Sequence, residues 1–159
     1  MLDRLLPRRV DRYDGHRLAL WLFVPITLVT LVRSAIHVFE HDGGAQSIAT
    51  IPLDTMTSGG AEAVILVFAL WGLSQLLLGL VFVVVLWRYR GLVPLMYLLL
   101  LLEYAGRLAL GSWKPMTTLE TPPGAIGNFV FIALSLVMLP LSLRRETERP
   151  GPGLESSAA

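Results

Sequence analysis

Four stretches of this chain carry almost nothing but apolar side chains, and short polar segments separate them. They run from about Leu18 to Phe39, Glu62 to Trp87, Leu92 to Leu110 and Ile126 to Leu143. Within the second, Ala63 to Trp87 is 25 residues without a charge, and Ser74 and Gln75 are its most polar members. At about 1.5 Å of rise per residue, such a helix outspans the roughly 30 Å hydrocarbon core and crosses it with tilt. Only helices or closed barrels satisfy their backbone groups in lipid. Uninterrupted apolar runs lack the alternation of a barrel strand. The pattern therefore predicts an all-α integral membrane protein, a four-helix bundle running up-down-up-down. A basic amino-terminal segment, 1–17, precedes the transmembrane domain, 18–143, and a Pro-, Gly- and Ser-rich tail, 144–159, reads as disordered.

Helical phase adds detail. At about 100° per residue, Thr30, Arg33, Ser34, His37, Glu40 and His41 fall on one side of the first span, within about 60° of His37. In the second span Phe68, Gly72, Gln75, Gly79 and Phe82 share a face. Gly72 and Gly79, seven apart, suit close helix approach, and Gly106 and Gly111 invite the same reading. In the third span Glu103 and Arg107 are i, i+4 partners flanked by Tyr104 and Gly106. Pro25 in the second turn of the first span should kink that helix or loosen it. The segment from Asp42 to Ala61 is a long Gly-, Ser- and Thr-rich loop, with a strand-like alternation from Ser47 to Leu53.

Charge fixes the expected orientation. The chain has five Arg before the first span, Arg88 and Arg90 between the second and third, and Arg144, Arg145 and Arg149 after the fourth. The two alternate loops hold Lys114 between them. Basic residues mark cytoplasmic loops, so both termini are expected on the cytoplasmic side, with two loops outside. The lead has Arg33 at the −3 position of its one candidate cleavage site, after Ala35, so it reads as a retained topology-setting segment and not as a cleaved signal.

With this orientation, Arg33, His37, Glu40, His41, Glu103, Arg107 and Asn128 lie in the outer half of the bundle, with Gln75 near the midplane. The inner half is almost wholly apolar. Charged groups at lipid depth face a protein interior or a water-filled cavity, so this asymmetry predicts a polar cavity open to the outside. Arg33 or Arg107 would receive an anionic headgroup, with Glu103 as relay or counter-charge. A purely structural reading stands beside it, in which Glu103 and Arg107 neutralise each other and hold neighbouring helices together.

Composition narrows the chemistry. The chain of 159 residues is 54% apolar and 16% charged, against roughly 25% charged for soluble proteins. It has no cysteine, which excludes disulfides and thiolate metal sites. Twelve Arg against one Lys, with abundant Leu, Gly and Pro, suggest a bacterial, GC-rich coding sequence. No Gly-rich phosphate loop or nucleophile elbow is present, and no nucleic-acid surface is evident. No cofactor is expected. The weak exception is a divalent metal on His37 and His41, with Glu40 or Asp42 adding oxygen. A histidine at a helix end is the plainer account of that pair.

The layout of four spans, a long first outside loop and a Gly-containing second helix resembles that of small DoxX-type bacterial membrane proteins. The resemblance implies a fold and no function. The sequence leads first to a non-enzymatic binding or accessory protein. Its partners would be membrane lipids, a lipid-like or small anionic ligand, a second copy of the chain or a larger membrane complex. A metal-dependent membrane enzyme using His37 and His41, and a proton-coupled transporter using Glu103, stay open beside it.

Overall fold

The computed structural model describes residues 2–144; Arg145, Arg149 and the tail expected to be disordered lie outside the described residues. Five helices are described: α1 (Leu2–Leu5), α2 (Arg17–Phe39), α3 (Ser58–Trp87), α4 (Val93–Trp113) and α5 (Pro123–Leu143). The last four are each long and apolar enough to cross a membrane. No strand occurs among the described residues.

The local chemistry explains where the helices begin. The His16 Nδ1 accepts from the Leu18 N–H and caps α2. Thr57 Oγ1 accepts from Gly60 N–H, so α3 starts at Ser58, before the expected Glu62. Pro123 is pre-set for a first helical turn, so α5 also starts early. α2 runs unbroken through Pro25, whose ring sits on the exposed side of the helix.

The apolar core sits where α2, α3, α4 and α5 meet. Phe23 lies between Phe82, 5.0 Å away, and Tyr97, 5.5 Å away. Tyr97 is fully buried, and its hydroxyl donates to the Ala19 carbonyl at 2.7 Å, which satisfies the one polar atom it brings inside. Only 17% of the α3 span is buried, while Leu66, Leu70, Leu73, Leu77 and Leu80 are exposed. A helix this apolar and this uncovered needs lipid as its solvent.

α2 packs chiefly on α3, and α4 on α5. Glycine makes the first seam. A Cβ on Gly72 would lie 2.5 Å from His37 Cβ, and one on Gly79 would lie 2.8 Å from a Leu31 methyl. Gly106 and Gly111 differ from the expectation: nothing lies within 4 Å of a Cβ at either, so neither serves packing here.

The Ser47–Leu53 alternation forms no strand. Gly43 and Gly44 have positive φ (61° and 75°) and turn the chain sharply after α2. Residues 41–49 then wind as successive turns, and a short 3-10 turn follows at Leu53–Thr55. The loop does fold back over the helices. Ala45, Ile51 and Leu53 are buried against Ala61, Val64, Ile65 and Phe68. Thr50 ties it to the 114–122 loop: Leu119 N–H donates to Thr50 O at 2.9 Å, and Thr50 Oγ1 donates to Glu120 O at 2.9 Å.

Overpacking the glycine seam should be costly. Gly72→Val is expected to lose about 1–3 kcal/mol through displacement of α2. Gly106→Ala is expected to lose none. Melting temperatures of the two variants in one detergent check the contrast.

Candidate functional site

One guanidinium organises the polar end of the bundle. Arg33 projects from α2, and three helices supply what surrounds it. Its Nη1 donates to the Tyr104 hydroxyl of α4 at 2.9 Å, and its Nη2 donates to Gln75 Oε1 of α3 at 3.1 Å. Its Nε is buried with no acceptor. No carboxylate pairs with Arg33 among the described residues.

Arg107, one turn beyond Glu103 on α4, forms the expected ion pair with it. Both side chains of that pair are four-fifths buried. The two guanidiniums share the same aromatic walls. Arg107 Cζ lies 4.6 Å from the Trp71 centroid and 4.9 Å from that of Tyr104; for Arg33 the distances are 5.7 and 5.9 Å. Cation–π attraction is worth about 2 kcal/mol when the pair is desolvated, so these rings replace part of the lost hydration. Tyr104 is fixed in turn by Phe131 of α5, stacked at 4.5 Å with an interplanar angle of 13°. The net count is two guanidiniums and one carboxylate, which leaves one positive charge uncompensated inside the protein.

His37 sits one turn beyond Arg33 and is buried. Its Nδ1 is 2.7 Å from the Gly43 carbonyl. A carbonyl only accepts, so Nδ1 carries the proton. The ring packs on Trp71 at 4.6 Å and on Phe68 at 5.7 Å. His37 thus fastens the loop to the cluster and spends one ring nitrogen doing so. His41 and Glu40 lie past the end of α2 and are exposed. Among the described residues, no three His, Asp or Glu side chains form a group able to hold a metal ion.

Asp42 is likewise committed. Its carboxylate accepts from Gly44 N–H (2.7 Å), Gln46 N–H (3.0 Å), Ser47 N–H (2.6 Å) and Ser47 Oγ (3.0 Å). Burial alone would raise its pKa, but the bonds from Ser47, Gly44 and Gln46 outweigh burial and hold it below the usual carboxylate range.

The expected residues divide accordingly. Arg33, Gln75, Glu103 and Arg107 come together, and His37 joins them through Trp71. Glu40 and His41 stay outside. Asn128 is half-buried in the first turns of α5 and makes no hydrogen bond among the described residues. The group is held together by hydrogen bonds, an ion pair and ring contacts. Three cavities, of about 360, 480 and 630 Å³, are lined elsewhere. Trp71 is the member that sequence reasoning missed. Its signal was position: a Trp in mid-span, far from the interfacial ends where Trp usually sits.

No family model, curated protein or solved structure matches the chain. The DoxX-type resemblance accordingly remains one of layout.

The Asp42 cap generates a pH prediction. Its pKa is depressed on folding, so its contribution is fully present above the ordinary carboxylate value of 3.8 and is lost as pH falls through the lower folded value. Hydrogen-exchange protection at the Gly44, Gln46 and Ser47 amides should be steady from pH 7 to about 4 and fall below it. In Asp42→Ala that protection should be weak throughout, by about 0.5–2 kcal/mol, the usual value of such a cap.

Proposed function

We propose that this chain is a small, non-enzymatic binding or accessory protein of a bacterial cell membrane. In this reading it receives an anionic group, from a lipid-like or other small ligand, at the Arg33–Arg107 cluster. The four spans cross alternately, with both termini on the cytoplasmic side and the cluster in the outer half. Orientation rests on charge: Arg4, Arg8, Arg9, Arg12, Arg17, Arg88, Arg90 and Arg144 flank one set of span ends, and Lys114 alone serves the other set.

One observation carries the ligand reading: of two part-buried guanidiniums in one cluster, only Arg107 has a carboxylate partner, and the Arg33 Nε is buried without an acceptor. An unsatisfied buried donor on a charged group costs about 1–3 kcal/mol or more. An anion supplies both the missing acceptor and the missing charge. A guanidinium also offers the fork that suits a carboxylate or phosphate. The ring walls suit a ligand with an apolar body, and the loop clipped by Thr50 covers the cluster from above.

Native mass spectrometry of gently solubilised protein tests the reading. Wild type should retain an anionic adduct. Arg33→Ala should weaken its retention by about 10–100-fold, the equivalent of one or two charge-assisted hydrogen bonds. Arg33→Lys keeps the charge without the fork and should fall between the two. Unchanged retention in both Arg33→Ala and Arg107→Ala, with folding intact by circular dichroism, would leave the cluster a purely structural staple.

A further inference from the structure

A second charged feature lies at the opposite end of the bundle, and the function proposed above does not use it. Residues 2–16 cross that end as a strap, seated on the start of α4 and the end of α5. Gly91 N–H donates to Val10 O at 2.8 Å, His16 N–H donates to Leu141 O at 3.2 Å, and Arg4 Nη1 donates to Leu143 O at 2.9 Å. The seating is close: a Cβ on Gly91 would lie 2.8 Å from the Arg12 carbonyl and 2.9 Å from that of Val10. Between strap and helix ends is a cavity of about 360 Å³. Arg4, Arg8, Arg9 and Arg12 line it, with Asp3 and Asp14 as its acidic members.

The four arginines are not equivalent. Arg12 is paired with Asp14 at 2.8 Å, and Arg4 is held by the Leu143 carbonyl. Arg8 and Arg9 make no hydrogen bond or ion pair among the described residues. Four guanidiniums against two carboxylates leave two positive charges in excess. A topology-setting tail needs charge alone; it needs neither a seated backbone nor a hollow lined by its arginines. The volume is at the small end of the range for ligand pockets. Trp21 and Trp87, both highly exposed, lie on the flanking span ends, as interfacial aromatics do, which sets the cavity at headgroup depth.

We infer that the strap cavity is a binding site for a phosphate-bearing anion, with Arg8 and Arg9 as its free ligands and Arg4 and Arg12 as fixed walls. The phosphate comes from an anionic lipid headgroup of the adjacent leaflet or from a free phosphate ester. Guanidinium forks match either. The site is separate from the Arg33 cluster, and the two are tested by different variants.

The experiment titrates the full-length protein in neutral detergent with phosphatidylglycerol and, separately, phosphatidylcholine, with adducts counted by native mass spectrometry. Wild type should hold phosphatidylglycerol at least tenfold more tightly. Arg8→Ala/Arg9→Ala should reduce that preference to near unity, and the fold should survive because neither side chain holds a bond. Arg88→Ala/Arg144→Ala removes equal charge from the same end without touching the cavity wall and should keep the preference, as should Arg33→Ala. Inorganic phosphate is then added. Displacement of the lipid with a phosphate adduct in its place identifies a free phosphate ester as the source, and retention of the lipid identifies the headgroup. Equal binding of the two lipids, or equal losses in the two double variants, would overturn the proposal and reduce the feature to diffuse surface charge.

Discussion

A guanidinium cannot be left bare at lipid depth, and the upper half of this bundle is arranged around that constraint. Arg33 is on a helix whose other buried polar groups are solved locally. Thr27 and Thr30 return their hydroxyls to the carbonyls of Phe23 and Ile26 on the same helix. Arg33 takes no acceptor from its own helix. It must take acceptors from α3 and α4, and those acceptors are themselves held: Tyr104 by stacking on Phe131, Gln75 by the glycine seam that draws α3 against α2. A single charge thereby imposes positions on three other helices.

The loop after α2 depends on the same region. His37 reaches the Gly43 carbonyl only because Gly43 and Gly44 adopt positive φ and bring the chain back over the helix end. Asp42 then caps the turn that follows with four accepted bonds. The loop is therefore a roof with a defined attachment at each side, His37 below and Thr50 across to the second loop. Thr50 itself has φ 55°, a left-handed conformation that a β-branched residue adopts at a cost. The bonds to Leu119 and Glu120 offset it.

Much of this was legible in the sequence, and the limits are physical. Span number and span class follow from run length and charge, which depend on the solvent and not on tertiary detail. The Gly72–Gly79 seam follows from heptad spacing, and Glu103–Arg107 from i, i+4 geometry. Phase analysis brought Arg33 and His37 to one face. It also brought Glu40 and His41 there, because phase assumes that the helix continues; α2 ends at Phe39, and the two glycines redirect the chain. Gly106 shows the converse error: small residues permit close approach, but only a neighbouring helix supplies it. Trp71 escaped notice because a ring among apolar residues carries no mark of facing a cation. The strap was read as a charged tail because its seat on Gly91 and Leu141 is a long-range contact with no local signature.

The contact pattern gives the central cluster one more consequence. The bundle consists of two hairpins, α2 with α3 and α4 with α5, each joined mainly within itself. Lipid removes the hydrophobic drive that would press two such hairpins together in water, so packing and polar contacts must do it. The Phe23–Phe82–Tyr97 core supplies the packing at one level. At the other, Arg33 reaches from the first hairpin to Tyr104 of the second, and Arg107 reaches from the second to the Trp71 ring of the first. Each hairpin thus holds the other's cation. An anion seated at Arg33 would sit on this junction, and whatever free energy it gained there would add to the cohesion of the hairpins. Binding at this site would be coupled to assembly, because the same guanidinium would serve both.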